Sequence, residues 1–254
     1  MNSNTNIALK EMLYKMADDL LIIGHRNSEW TGLGPILEED ISFSSMAQDK
    51  IGQAQAIYTL LQELGEQEPD TVAFTRNANQ FHNSILVELP NGEYDFSLVR
   101  HFLYDHADQL RFEFLAQSSY EPLAKVARKV KGELKYHVFH ANTWFTKLGS
   151  ANEESHTRMQ AAFNEAWNYA LGMFEEGPNE DLLKAEGIFV GEQSLQEKWM
   201  SNITPYILKA GIKIPDSGTW KPVFGGRKGQ HTEHLLPLVE EMSEVFRYDP
   251  TAEW

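Results

Sequence analysis

The residues of this chain that could do chemistry are carboxylates and histidines set at helical spacing. Glu133 and His137 stand four apart, Asp105 and Asp108 three apart, and His231 and His234 flank Glu233. A pair of iron ions in a helix bundle takes one Glu from each of two helices and a Glu-x-x-His from each of two others. The three-residue spacing puts both ligands on one helix face. Glu133 with His137 and Asp105 with Asp108 approximate that pair without completing it. His231 and His234 have a spacing that suits a metal, but histidines at a helix start more often cap, pack or meet a partner. Lys209, Lys213, Lys221, Arg227 and Lys228 form a basic stretch on a Gly- and Pro-rich loop, with Asp216 the one acid between Lys209 and Lys228. Such a loop suits a solvated surface, a docking surface or contact with a phosphate such as that of coenzyme A.

The elements that must position these residues read as helices. Leu9, Leu13, Met16, Ala17, Leu20 and Ile23 recur at helical spacing over residues 7–27. A second helix is predicted from Leu37 to about Leu64, with an unusually polar inner stripe, stopping at Gly65. The turn signals Glu68-Pro69-Asp70 and Pro90-Asn91-Gly92 make residues 66–94 a loop with short helical pieces. Asp95 is the expected N-cap of a third helix, and Pro122 to Leu148 a fourth. A fifth covers about 156–176. Ser194 with Glu197 signals the cap of a sixth, interrupted at Pro205 and ended by Gly211. A last helix runs from Thr232 to Arg247. No alternating strand pattern appears. Helices of roughly 20 to 28 residues are about 30 to 40 Å long, the scale of a four-helix bundle with additional C-terminal helices. The fold class expected is all-α, in one domain over residues 1–254.

Composition narrows the function classes. Thirty-seven acidic against twenty-two basic residues give a formal charge of -15, which opposes nucleic acid or an anionic membrane. The absence of cysteine excludes disulfides, thiolate zinc sites and iron–sulfur clusters. Residues 1–10 lack a signal-peptide core and no stretch is apolar enough to span a bilayer, so a cytoplasmic location is expected. The six tryptophans, Trp30, Trp144, Trp167 and Trp199 among them, read as core or interface anchors.

Several motifs in order carry a resemblance that periodicity alone does not supply. His25-Arg26-Asn27-Ser28-Glu29-Trp30, Ile51-Gly52-Gln53-Ala54, Ala73-Phe74-Thr75-Arg76 before Gln80-Phe81, Leu89-Pro90-Asn91-Gly92, and Gly225 to Leu235 resemble the C-subunit family of bacterial phenylacetyl-CoA epoxidases. The resemblance covers essentially the whole chain. It implies a ferritin-like bundle within a multicomponent monooxygenase of phenylacetate degradation, in which a homologous A subunit holds the di-iron centre and a reductase supplies electrons.

The A-subunit ligand motifs, carried onto this sequence by that resemblance, fall on Glu29, Lys50, Gln53, Asp105, Leu134 and His137. Glu29, Asp105 and His137 keep a ligand type. A ligand Glu has become Lys50, a ligand His has become Gln53, and the fourth-helix Glu falls on Leu134 with Glu133 beside it. Half the set cannot bind iron as it stands. Lys50 is expected to place an ammonium beside the buried acids Glu29 or Asp105 in place of metal charge, the alternative being a lysine that snorkels to solvent. The resemblance thus implies a noncatalytic, vestigial site, no cofactor in this chain, and iron in the partner catalytic subunit. Arg227, Lys228, His231 and His234 are the candidate partner- or coenzyme A-facing residues. Other subunits of the complex, and self-association of the isolated chain, complete the expected partners. Two further readings remain: a metal-dependent oxygenase with a rearranged site of Glu29, Asp105, Glu133 and His137, and a ferritin-like binding protein.

Overall fold

The computed structural model describes residues 3–252. Among them the chain forms ten α-helices and no strand: α1 (Ser3–Ser28), α2 (Leu37–Glu63), α3 (Pro69–Thr75), α4 (Ile85–Glu88), α5 (Tyr94–Leu115), α6 (Glu121–Ala151), α7 (Glu153–Gly172), α8 (Glu180–Ala185), α9 (Glu192–Lys209) and α10 (Leu235–Tyr248). The protein is therefore all-α, in keeping with a ferritin-like fold. No helix of the described residues is long and apolar enough to cross a membrane. The chain divides into two compact units, residues 1–90 with 225–254, and residues 91–224.

In the first unit α1 and α2 form an antiparallel pair. Near one end Lys10 Nζ and Tyr14 Oη reach the Glu66 carboxylate at 2.7 and 2.8 Å, and towards the other end Gly24 lies against Ala47 and Ile51. Leu9, Leu13, Ala17 and Ile23 of α1 and Phe43, Met46, Ile57 and Leu61 of α2 are at most 3% exposed. Each buried aliphatic side chain of this kind contributes about 1.5–3 kcal/mol relative to an exposed one. Gly65 adopts φ +93° after the C-cap of α2, a conformation that other residues rarely take, and so stops the helix where expected.

In the second unit α5 packs against α6, α7 and α9. Aromatic rings fill that interface: Phe102 stacks on Phe145 at 4.0 Å, and Trp167 lies 5.7 Å from Trp199, whose indole N–H donates to the Leu103 carbonyl at 2.9 Å. The last bond satisfies a polar atom that burial would otherwise leave costly. Arg111 of α5 grips Glu192 at the start of α9 through two bonds of 2.5 and 2.9 Å.

Several helix ends differ from expectation. Asp95 is not the N-cap of α5; the cap is Glu93, while Asp95 sits in the first turn and binds Arg158 at 2.9 Å. Nor does Ser194 cap α9, because Gly191 at φ +97° is already the N-cap, three residues before the Ser194–Glu197 pattern suggests. Pro205 does not interrupt α9, which runs on to Lys209. Proline costs one N–H donor, and the fully buried Trp199, Ile203 and Ile207 hold the helix across it. Helix α7 begins at Glu153, three residues earlier than expected, because the Asn152 side chain accepts the Ser155 N–H at 2.8 Å. The short α8 has no clear signal in the sequence.

Candidate functional site

In the first unit, Lys50 and Gln53 lie on the buried side of α2, at 0% and 2% exposure. Residues Phe43, Met46, Ala47, Ala54 and Ile57 are buried on the same helix, so α2 turns Lys50 inward with its apolar stripe. The snorkelling alternative is thereby excluded. Glu29 is less buried than either Lys50 or Gln53. It follows the last residue of α1, its side chain is 38% exposed, and Arg26 Nη1 binds it at 2.6 Å. The reason is local: helical geometry ends at Ser28, and a carboxylate just beyond the last turn finds a cation and water more readily than a core position.

In the second unit, Asp105, Leu134 and His137 are each 0% exposed. Asp105 lies 2.6 Å from His101 Nδ1 on its own helix, one turn back, and 3.8 Å from His137 Nδ1 on α6. His140 completes a group of three imidazoles, its ring 5.6 Å from that of His101. Burial lowers the His101 pKa to about 4 against the opposing pull of Asp105, so at neutral pH the imidazole is uncharged. His101 and His140 belong to this cluster but not to the expected positions. Their signal in the sequence is helical spacing, four residues before Asp105 and three after His137. Glu133 is only partly buried. A Glu-x-x-His string outside the motifs discussed above, Glu153 to His156, opens α7; Glu153 is exposed and His156 Nδ1 lies 2.7 Å from the Gly149 carbonyl.

Two of the four residues expected to face a partner or coenzyme A point inward instead. Arg227 forms a fork on Asp19 of α1, with both bonds at 2.8 Å, and also donates to the Lys15 and His82 carbonyls. His231 Nδ1 lies 2.7 Å from Glu88, and its Nε2 lies 2.9 Å from the Phe81 carbonyl. Both side chains are 5% exposed. Lys228 is exposed and His234 half-buried. The physical cause is the pair of carboxylates Asp19 and Glu88, 6% and 0% exposed, which need hydrogen-bonded partners once dehydrated.

Glu88 is the most heavily engaged of these acids. It accepts the Thr232 N–H and hydroxyl at 2.6 and 2.9 Å and the Asn83 amide at 2.8 Å, while its carbonyl accepts from Arg26 at 2.7 Å. A third buried acid, Asp18, binds Arg76 at 2.6 and 3.0 Å and the Tyr58 hydroxyl at 2.6 Å. Burial opposes the His231 charge, but the Glu88 carboxylate outweighs it and holds the imidazole pKa above its usual value. The motif residues Arg76, Arg227 and His231 are thus clasps for Asp18, Asp19 and Glu88. The adjacent Asp18 and Asp19 within an apolar helix were the available sign that cations must reach α1 from elsewhere in the chain.

Comparison with known proteins gives matches along nearly the whole chain. The family described as Phenylacetic acid catabolic protein matches residues 1–254. The chain is 33% identical to the C subunit of the 1,2-phenylacetyl-CoA epoxidase of Escherichia coli strain K12 over 241 residues, 94% of this chain and 96% of that protein. It is 24% identical to the A subunit of the same epoxidase over 195 residues, 74% of this chain and 62% of that protein. With a family match from end to end and a relative above 30% identity over nearly its whole length, this chain belongs to the phenylacetic acid catabolic protein family and resembles its epoxidase C subunits.

Proposed function

We propose that this chain is the noncatalytic structural subunit of a phenylacetyl-CoA 1,2-epoxidase, working in the cytoplasm of a cell that degrades phenylacetate aerobically. It binds and stabilises the di-iron catalytic subunit, and its two compact units serve as one ferritin-like domain. Family membership supports the pathway. The observation that carries the noncatalytic role is Lys50: at a position that corresponds by resemblance to an iron-ligating Glu, it is fully buried and brings a cation where a metal needs an anion.

The rest of the donor set supports the same reading. Leu134 has no donor atom in its side chain, Gln53 is a weak neutral ligand, and Glu29 is half-exposed and bound to Arg26. These residues do not fit an iron pair, whose charge calls for four carboxylates. A buried ammonium offsets part of the charge that the metal would have supplied. The iron belongs to the partner in this reading.

The test is metal analysis joined to turnover. The purified chain, supplied with ferrous iron, a reductase and NADPH, should convert no phenylacetyl-CoA above a metal-free control, and should confer activity only when combined with its catalytic partner. Two tightly bound irons per chain, or turnover by the chain alone, would overturn the proposal in favour of a rearranged site built on Glu29, Asp105, Glu133 and His137.

A further inference from the structure

Between Glu38 and Glu63 the exposed positions of α2 carry no charge, which is unusual for an acidic protein. Leu37, Ile41, Ser45, Gln48, Gly52 and Gln55 follow one another at intervals of three or four residues and are all exposed. Helical geometry puts them in a single row about 27 Å long, which Thr59 extends. A solvated helix normally presents charged residues on this side. The exposed face of α6 does so, with Lys125, Lys129 and Lys135 on the helix that also exposes Phe139.

The N-terminal end of the row is apolar and held in place. Leu37 is 71% and Ile41 58% exposed, beside Leu33 at 72% and Ile36 at 47% in the preceding loop. That loop is fastened to the helix. The Asp40 carboxylate accepts the N–H groups of Gly32 and Gly34 at 2.7 and 3.3 Å, and the Thr31 and Ser44 hydroxyls lie 2.8 Å apart. A Cβ on Gly34 would fall 2.7 Å from the Asp40 nitrogen, so only glycine allows this close fit. Further along, a Cβ on Gly52 would meet nothing within 4 Å. Inside a helix that glycine carries a propensity penalty with no packing gain in this chain, and it leaves room for another backbone to approach.

We infer that this face of α2, uncharged between Glu38 and Glu63 and with Leu33 and Ile36 at its end, is the docking surface for the homologous di-iron subunit. The inference rests on the pairing proposed above and adds where the pairing occurs. Area favours a folded partner: one helix laid along a stripe roughly 35 Å by 10 Å covers about 350 Å² of each chain, less than half the ~800 Å² per partner of a stable interface. The occupant must therefore bring more than one helix, as a bundle-sized subunit does and a peptide does not. Charge disfavours a second copy, since two chains of formal charge -15 repel each other. The core of a protein interface is depleted in charged residues, as this row is.

The experiment measures binding of the purified full-length chain to the di-iron subunit encoded in the same genome, by titration calorimetry, with circular dichroism to verify folding. The variants are Leu37→Glu/Ile41→Glu and, separately, Gly52→Gln, which replaces a poor helix former with a better one. Phe139→Glu on α6 serves as the control. The expected result is at least a tenfold rise in Kd for both α2 variants and no change for the control. If every variant binds like the wild type, the docking face is wrong while the pairing stands. Failure of the wild-type chain to bind at all overturns the pairing, and this inference with it. If the α2 variants abolish self-association of the isolated chain and leave binding to the di-iron subunit unchanged, the face belongs to a second copy and the inference fails.

Discussion

The two compact units solve the same problem of stability by different means. Residues 91–224 are continuous in sequence and are held by ring packing, with Trp199, Trp167, Phe102 and Phe145 at the junctions of α5, α6, α7 and α9. The other unit must bring residues 225–254 back to residues 1–90. It does so with buried ion pairs: Arg227 on Asp19 and His231 on Glu88 reach across 208 and 143 residues of sequence. Hydrophobic burial is non-directional and sets no register, whereas a guanidinium fork on a carboxylate fixes one. The comparison teaches that the motif run Gly225 to Leu235 has a structural reason to exist: it closes the first unit.

That contrast can be broken by substitution, beginning with the largest effect. Trp199→Ala should cost about 3–5 kcal/mol, because it opens a large cavity and removes the bond to the Leu103 carbonyl. Urea unfolding checks the value, and a loss below about 1 kcal/mol would show that the aromatic layer is not what holds the second unit. Arg227→Met should cost about 3 kcal/mol by leaving Asp19 buried without its fork. If the clasp sets register, Asp19→Asn/Arg227→Met should recover part of that loss, and a double variant no better than the single one would argue against pairing as the cause.

Two smaller effects sharpen the comparison. Gly226→Ala would place a Cβ 2.2 Å from the Asn83 carbonyl oxygen, so the strap must shift, at about 1–3 kcal/mol. Thermal unfolding should register it. The smallest effect is pH-dependent. The folded-state pKa of His231 is raised, so its pairing with Glu88 contributes fully below the unfolded value of 6.5 and is lost as pH rises through the folded value. Stability should therefore decline as pH rises from the unfolded value through the folded one. His231→Gln should flatten that part of the curve, and an unchanged slope in this variant would assign the pH dependence to another group.

Much of the fold was legible in the sequence because buried helix faces repeat every three or four residues. The long helices α1, α2, α5 and α6 follow directly from that period, and Gly65 and Gly211 end helices because both adopt positive φ. Helix starts were harder to read, since they depend on side-chain bonds such as Asn152 to Ser155 that several nearby polar residues could make equally well. The α-helical class, the motif order and the residue types at positions 50, 53 and 134 are properties of the amino-acid string. Tertiary structure decided which polar groups face inward. It buried Lys50 and Asp105, left Glu29 half-exposed, and turned Arg227 and His231 from candidate surface ligands into internal clasps. The reason is that a charge becomes buried only where another segment supplies its partner, and partners distant along the chain meet only in the folded protein.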